Sequence, residues 1–142
     1  MNATDTLDTQ LDPKAPDIDA LVNRLQTLFD ARGLPPALFQ SFAMAFDEVI
    51  SNIAAYGSAH GAIRVHVTIG ADEVHAEVID DGVAFDPLKL PDPDVTSELD
   101  DRAIGGLGVY LVRKMMDRVA YERREELNCL SFHKRIAPKP DA

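Results

Sequence analysis

A carboxylate and a carboxamide stand one helical turn apart in the stretch 46–57, where they could hold a hydrated metal ion. Glu48 and Asn52 are four residues apart, so on a helix their side chains are neighbours on one face. The apolar residues of this stretch fall on another face, at the spacing of an amphipathic helix. Such a pair is a common way to hold Mg²⁺ against a phosphate. For two residues alone, a solvated polar face is the simpler interpretation.

Two glycine-bearing segments further along the chain favour the chemical interpretation. An apolar strand pattern ends in the run 80–86, which carries Asp80 and Gly82, and a second glycine run, 104–109, precedes a helical pattern. Glycines at a helix entrance let backbone N–H groups approach an anion, and the helix dipole favours negative charge there. A glycine run also fits a structural turn. The Walker pattern is absent, and no Gly-x-Gly-x-x-Gly follows a strand.

Periodicity and turn residues predict the elements that must position these groups. The predicted helices are 17–31, 35–57 and 106–117, and the predicted strands are 63–69, 74–80, 118–123 and 127–136. A weaker alternation over 6–11 allows a short edge strand. Residues 87–103 contain three prolines and four aspartates without a periodic apolar face, which predicts a long functional loop. The sum is an α+β two-layer sandwich with a mixed or antiparallel sheet and helices on one face.

Composition and charge exclude several classes of function. The 142 residues are 46% hydrophobic, which indicates a folded domain, and the formal net charge is −10. No stretch concentrates Lys and Arg, which argues against binding to nucleic acid or to an anionic membrane. No apolar run could span a bilayer, no secretion signal opens the chain, and Cys129 has no partner for an internal disulfide. These features predict a cytoplasmic protein.

Three segments, in this order, resemble the ATP-binding site of the GHKL (Bergerat-fold) superfamily. The similar positions are Glu48 and Asn52 of the N-box, Asp80, Gly82 and Ala84 of the Asp-x-Gly-x-Gly box, and Gly106, Leu107 and Gly108 of the third box. The short chain and the helix at 106–113 look most like the stand-alone anti-sigma factor serine kinases. The resemblance implies that residues 17–136 form a histidine kinase-like ATPase domain. It leaves a polar segment at 1–16, with the possible edge strand, and a frayed tail at 137–142.

The resemblance implies a role for each residue of the first two boxes. Asn52 would hold the Mg²⁺ that bridges the phosphates of ATP, and Glu48 would accept the proton of an attacking hydroxyl. Asp80 would accept the amino group of adenine, while Gly82 would leave space for the ring. Ala84 departs from the family pattern, because it replaces the second glycine of its box.

The resemblance also implies a lid and protein partners. Gly106 and Gly108 would present backbone N–H groups to the phosphates, with Leu107 between them, and residues 87–105 would close over the nucleotide. Arg102, in this lid, is a weak candidate for reaching the terminal phosphate. The phosphoryl acceptor would be a serine on a small antagonist protein. The other partner would be a sigma factor, and the family suggests a homodimer.

Two alternatives remain open at the level of sequence. Asp47 and Asp81 neighbour Glu48 and Asp80 and would exchange roles with them if the assignment were wrong by one residue. The protein could also be a nucleotide-gated binding module that performs no phosphoryl transfer. The histidines show no metal-ligand spacing, and the chain has no room for the dimerisation helix of a complete histidine kinase.

Overall fold

One antiparallel sheet and three helices make up the part of the chain that the structure, a computed structural model, describes. The described residues are 5–84, 86 and 106–137. The elements are β1 (Asp5–Leu11), α1 (Ile18–Ala31), α2 (Pro36–Tyr56), β2 (Ile63–Ile69), β3 (Glu73–Asp80), α3 (Gly106–Met115), β4 (Arg118–Arg124) and β5 (Leu127–Arg135). The described strands follow the order β1-β2-β3-β5-β4, and each neighbouring pair is antiparallel. The predicted α+β class is confirmed, with the antiparallel form of the sheet.

The first two helices begin and end where local chemistry requires. Asp17 caps α1, since its carboxylate accepts a hydrogen bond from the backbone N–H of Ala20 at 3.0 Å. Gly33 follows the helix with a φ of +66°, a conformation that suits glycine and stops the helix. Pro36 occupies the first turn of α2, where its missing N–H costs no hydrogen bond. Both starts agree with the sequence prediction.

The core lies between α2 and one face of the sheet. Alternate residues of β2 and β3 point inward and are buried, whereas those between them are more exposed. Phe132 of β5 meets two rings of α2, with centroids 5.7 Å from Phe42 and 5.4 Å from Phe46. The opposite face of the sheet carries mainly polar side chains, so the helices cover one face only, as predicted.

The N-terminal strand β1 belongs to this sheet. It pairs with β2 along its whole length, from Asp5 opposite Ile69 to Leu11 opposite Ile63. Leu7 and Leu11 are buried in the core, and Arg32, the residue that follows α1, forms a 2.8 Å ion pair with Asp5. The polar N-terminal segment thus contributes an edge strand.

The last helix is shorter than its apolar pattern suggests. The sequence predicts a helix to residue 117, but α3 ends at Met115. Lys134 of β5 donates to the carbonyl of Met115, and the N–H of Asp117 donates to the carbonyl of His133 at 2.9 Å. These contacts with the sheet replace a further turn of helix. None of the three described helices combines the length and apolar character needed to cross a membrane.

Candidate functional site

A cavity of about 140 Å³ lies between α2, α3 and the sheet. Most of its wall is apolar, and this part includes Val49, Ile53, Val78, Val112, Val119 and Leu130. Its polar lining consists of Asn52, Tyr56, Asp80, Arg113, Tyr121 and Asn128. An apolar pocket with a few convergent polar groups suits a flat ring with hydrogen-bonding edges.

Asp80 is a buried carboxylate at the wall of this cavity. It ends β3 and is 5% exposed. Its Oδ1 accepts two hydrogen bonds, from the N–H of Gly82 at 2.8 Å and from the amide of Asn128 at 3.1 Å. Its Oδ2 receives no hydrogen bond from any residue that the structure describes. A ligand in the cavity that carries an N–H donor would therefore meet an available acceptor.

The neighbouring Asp81 has a different role. Its two carboxylate oxygens accept hydrogen bonds from the backbone N–H groups of His60 and Gly61, at 2.8 and 2.9 Å. Both hydrogen bonds come from the loop before β2, and they lower the pKa of Asp81 below its ordinary value. The bond from His60 has the larger effect. Asp81 therefore ties two loops together, while Asp80 lines the cavity.

Gly82 allows the end of β3 to pack against the end of α2. A Cβ at this position would lie 2.2 Å from the carbonyl oxygen of Gly57, and the N–H of Val83 donates to the same oxygen at 2.8 Å. No side chain fits in that space. The backbone of Gly57 thus occupies the position that a side chain at Gly82 would need. Ala84, two residues on, is exposed and lines the cavity.

Glu48 and Asn52 form the predicted pair on α2. The amide of Asn52 donates through Nδ2 to Oε2 of Glu48 at 3.0 Å, so the amide oxygen remains as an acceptor or metal ligand. Asn52 lines the cavity and Glu48 stands beside it, outside the wall. Asp47 is exposed and accepts a long hydrogen bond from Ser51 at 3.4 Å. Within the described residues, no three metal-ligating side chains converge.

The third predicted box falls at the beginning of α3. Gly106, Leu107 and Gly108 form its first turn, and two later residues of the same helix, Val112 and Arg113, line the cavity. The second half of the helix therefore borders the site. The predicted lid at 87–105, including Arg102, lies outside the described residues.

Sequence reasoning missed three polar residues behind Asp80. Asn128 of β5 is 6% exposed and stands directly opposite Asp80 in the sheet. Its Oδ1 accepts hydrogen bonds from the hydroxyl of Tyr121 and from Arg123, the latter at 3.1 Å. A signal was present, because Asn128 takes an inward position in a strand whose next inward residues are Leu130 and Phe132. A polar side chain there needs a buried partner.

Comparison with known proteins gives three findings. The family model of the histidine kinase-like ATPase domain matches residues 12–134. The chain is 30% identical over 102 residues to the serine/threonine-protein kinase BtrW of Bordetella bronchiseptica, covering 70% of this chain and 72% of that protein. A solved structure of the RsbU and RsbW domains of Rv1364c from Mycobacterium tuberculosis superposes with a TM-score of 0.68 at 15% identity, over 93% of this chain and 32% of that one. The last finding concerns the fold alone.

Proposed function

The chain belongs to the histidine kinase-like ATPase domain family, and from this we propose that it is an ATP- and Mg²⁺-dependent protein-serine kinase of the anti-sigma type. It would phosphorylate a serine on a small antagonist protein and sequester a sigma factor or another regulatory protein. The observation that carries the proposal is the buried Asp80, whose Oδ2 receives no hydrogen bond from the described residues and which lines an apolar cavity together with Asn52.

The cavity suits an adenine nucleotide. Apolar side chains would cover the faces of the base, and Asp80 would accept a hydrogen bond from its exocyclic amino group. The beginning of α3 would supply backbone N–H groups for phosphate oxygens, since residues 106–108 form its first turn. The amide oxygen of Asn52 is a suitable hard ligand for Mg²⁺, because its Nδ2 is engaged by Glu48.

Glu48 would act as the general base. Asn52 holds one of its oxygens, and the other receives no hydrogen bond from the described part of the chain. That oxygen would take the proton of the acceptor serine as the serine oxygen bonds to the terminal phosphorus of ATP and the bond to the ADP oxygen breaks. Mg²⁺, when bound, offsets the negative charge of the phosphates.

The binding step is tested by titrating ADP and ATP with and without Mg²⁺. We expect Asp80→Asn to weaken both nucleotides at least about tenfold, since a primary amide cannot replace a charged acceptor. Asn52→Ala should remove most of the Mg²⁺ dependence. Asp47→Asn, a change to an exposed carboxylate of the same helix, is the matched control. Folded wild-type protein that binds neither nucleotide would refute the proposal.

The transfer step is tested with Glu48→Gln and Glu48→Ala. The assay measures phosphate on purified candidate antagonist proteins, each paired with a version in which the acceptor serine is alanine. We expect transfer to fall about 100-fold or more while ADP affinity stays within about threefold. Retained transfer would remove Glu48 from the mechanism.

One observation favours a second candidate function. Glu48 lies outside the cavity wall and accepts a hydrogen bond from the amide of Asn52, an arrangement that a nucleotide-gated binding module could also use to orient Asn52. ATP-dependent complex formation with an antagonist whose serine never gains phosphate would favour that function.

A further inference from the structure

The amide of Asn128 is held in one orientation by groups of opposite character. On one side, Nδ2 donates to the carbonyl of Val83 at 2.8 Å and to Oδ1 of Asp80 at 3.1 Å. On the other side, Oδ1 accepts from Arg123 and from the hydroxyl of Tyr121. A carbonyl can only accept and a guanidinium can only donate. A flipped amide would therefore face mismatched groups on both sides.

This orientation determines what Asp80 offers to the cavity. Asn128 and the N–H of Gly82 both donate to Oδ1, which leaves Oδ2 as the acceptor for a ligand. If the amide flipped, its oxygen would face Oδ1 of Asp80 across the same 3.1 Å contact. Two acceptor oxygens at that distance repel unless they separate or bind a proton between them.

Arg123 also secures the loop beside the cavity. The Nη1 that reaches Asn128 at 3.1 Å donates to the carbonyl of Gly82 at 2.9 Å. The ring of Tyr121 lines the cavity, while its hydroxyl points to Asn128. Both residues come from β4, the edge strand next to β5. Tyr121 acts on Asp80 through Asn128, whereas Arg123 acts through Asn128 and through the backbone of Gly82.

We propose that Tyr121 and Arg123 are positioning residues that set the base preference of the site. By fixing the Asn128 amide, they make Asp80 a pure acceptor, which favours a 6-amino purine over a 6-oxo purine. The inference rests on the proposed nucleotide-binding function, and it adds residues outside the three sequence boxes to that function. With both donors removed, the amide keeps only the acceptors on its Nδ2 side, so Asp80 is held less firmly as an acceptor for a 6-amino group, and ADP loses more affinity than inosine diphosphate.

The test compares the dissociation constants of ADP and inosine diphosphate. The variants are Tyr121→Phe, Arg123→Met and the double variant, and the control is Arg124→Met. Arg124 also lies on β4 but pairs with Glu77 and Glu122 on the outer face, at 2.8 and 2.9 Å. We expect the preference for ADP to fall about tenfold in the double variant and to stay unchanged in the control.

The ratio separates positioning from general damage. A loosened fold weakens both nucleotides alike and leaves their ratio as in wild type, so an unchanged ratio in the folded double variant would overturn the inference. Wild-type protein that binds neither nucleotide refutes the proposed function instead. Thermal unfolding of each variant confirms that it is folded at the temperature of the titration.

A second variant, Asn128→Asp, gives an independent pH signature. Its carboxyl group can still accept from Tyr121 and Arg123, but it reaches Asp80 only by sharing a proton with it. We expect ADP binding by this variant to weaken several-fold more than ADP binding by the wild type as the pH rises from 5.5 to about 8. Parallel pH profiles for the two proteins would contradict the role of Asn128 as a donor to Asp80.

Discussion

Asp80 and Asp81 carry the same carboxylate group, but their positions relative to the end of β3 give them different contacts. Asp80 takes the last inward position of β3 and is buried at the cavity, whereas Asp81 comes after the strand and binds two backbone N–H groups. The Asp-x-Gly spacing was enough to prefer Asp80 from sequence. The hydrogen bond from Asn128, which adds to the local one from Gly82 on the same oxygen, could not be predicted, because Asn128 lies 48 residues further along the chain.

A substitution at Gly82 tests the contact between β3 and α2. We expect Gly82→Ala to lower the free energy of unfolding by about 1–3 kcal/mol, because the added methyl group would overlap the carbonyl of Gly57 and the backbone must shift. Since this shift moves the loop that follows Asp80, ADP affinity should fall as well. Chemical denaturation and ADP titration measure the two effects.

Gly70 provides the matched control for this substitution. A Cβ there would lie 3.5 Å from the carbonyl oxygen of Glu73, an ordinary contact. Gly70→Ala should therefore change stability by about 0.5 kcal/mol or less and leave ADP affinity unchanged. Equal effects of the two substitutions would mean that the Gly57 contact does not govern the site.

At the scale of elements, hydrophobic periodicity predicted the helices and strands whose own sequence shows which of their residues are buried. The apolar residues of α1 and α2 recur at helical spacing, and those of β2 and β3 alternate with polar residues. All four elements lie close to their predicted bounds. The pattern of β1 is weak because Thr9 takes the inward position between Leu7 and Leu11. Its pairing depends on β2, more than fifty residues further along the chain, and a local pattern carries no such information.

The outer face of the sheet carries a stacked pair of histidines. The rings of His75 and His133 stack across β3 and β5, with centroids 4.3 Å apart. Burial lowers the pKa of His133 below its ordinary value near 6.5, and the charges of His75 and Arg118 lower it further, against an opposing effect of Glu73. The folded protein therefore takes up this proton less readily than the unfolded chain.

The lowered pKa of His133 predicts a loss of stability in mild acid. Below about pH 6.5 the unfolded chain binds the proton first, so the free energy of unfolding should decrease as the pH falls toward the folded pKa. His133→Gln should remove part of this slope between pH 7 and 5, and His60→Gln, at an exposed loop position, should not. Melting temperatures across this range measure the slope. A His133→Gln slope equal to that of wild type would contradict the assignment.

The candidate site exists only where the two layers of the molecule meet. Asn52 comes from α2, Asp80 from β3 and Asn128 from β5, so the site needs the helix docked on a correctly paired sheet. The sequence was sufficient to find the first two residues because their motifs are local. The pairing of Asp80 with Asn128 joins positions 48 residues apart, and only the assembled sheet defines it.

The aromatic contact between the layers should therefore control stability and binding together. Phe132 is fully buried against Phe42 and Phe46, so Phe132→Ala should cost about 3–5 kcal/mol. That is a large share of the roughly 5–15 kcal/mol typical of a domain. Phe132→Leu, which fills more of the space, should cost less and keep ADP affinity near that of wild type wherever the variant is folded.

Phe39→Ala is the control at the other end of the same aromatic cluster. Its ring is only partly buried and packs on Phe29, 6.2 Å away, rather than on the sheet residue Phe132. We expect a smaller loss of stability and an unchanged ADP affinity. Added ADP should raise the melting temperature of Phe132→Leu and of Phe39→Ala, because ligand binding to the folded state alone stabilises it. If ADP raised the melting temperature of the wild type but of neither variant, both variants would have lost ADP binding, and the expected near wild-type affinity would be contradicted.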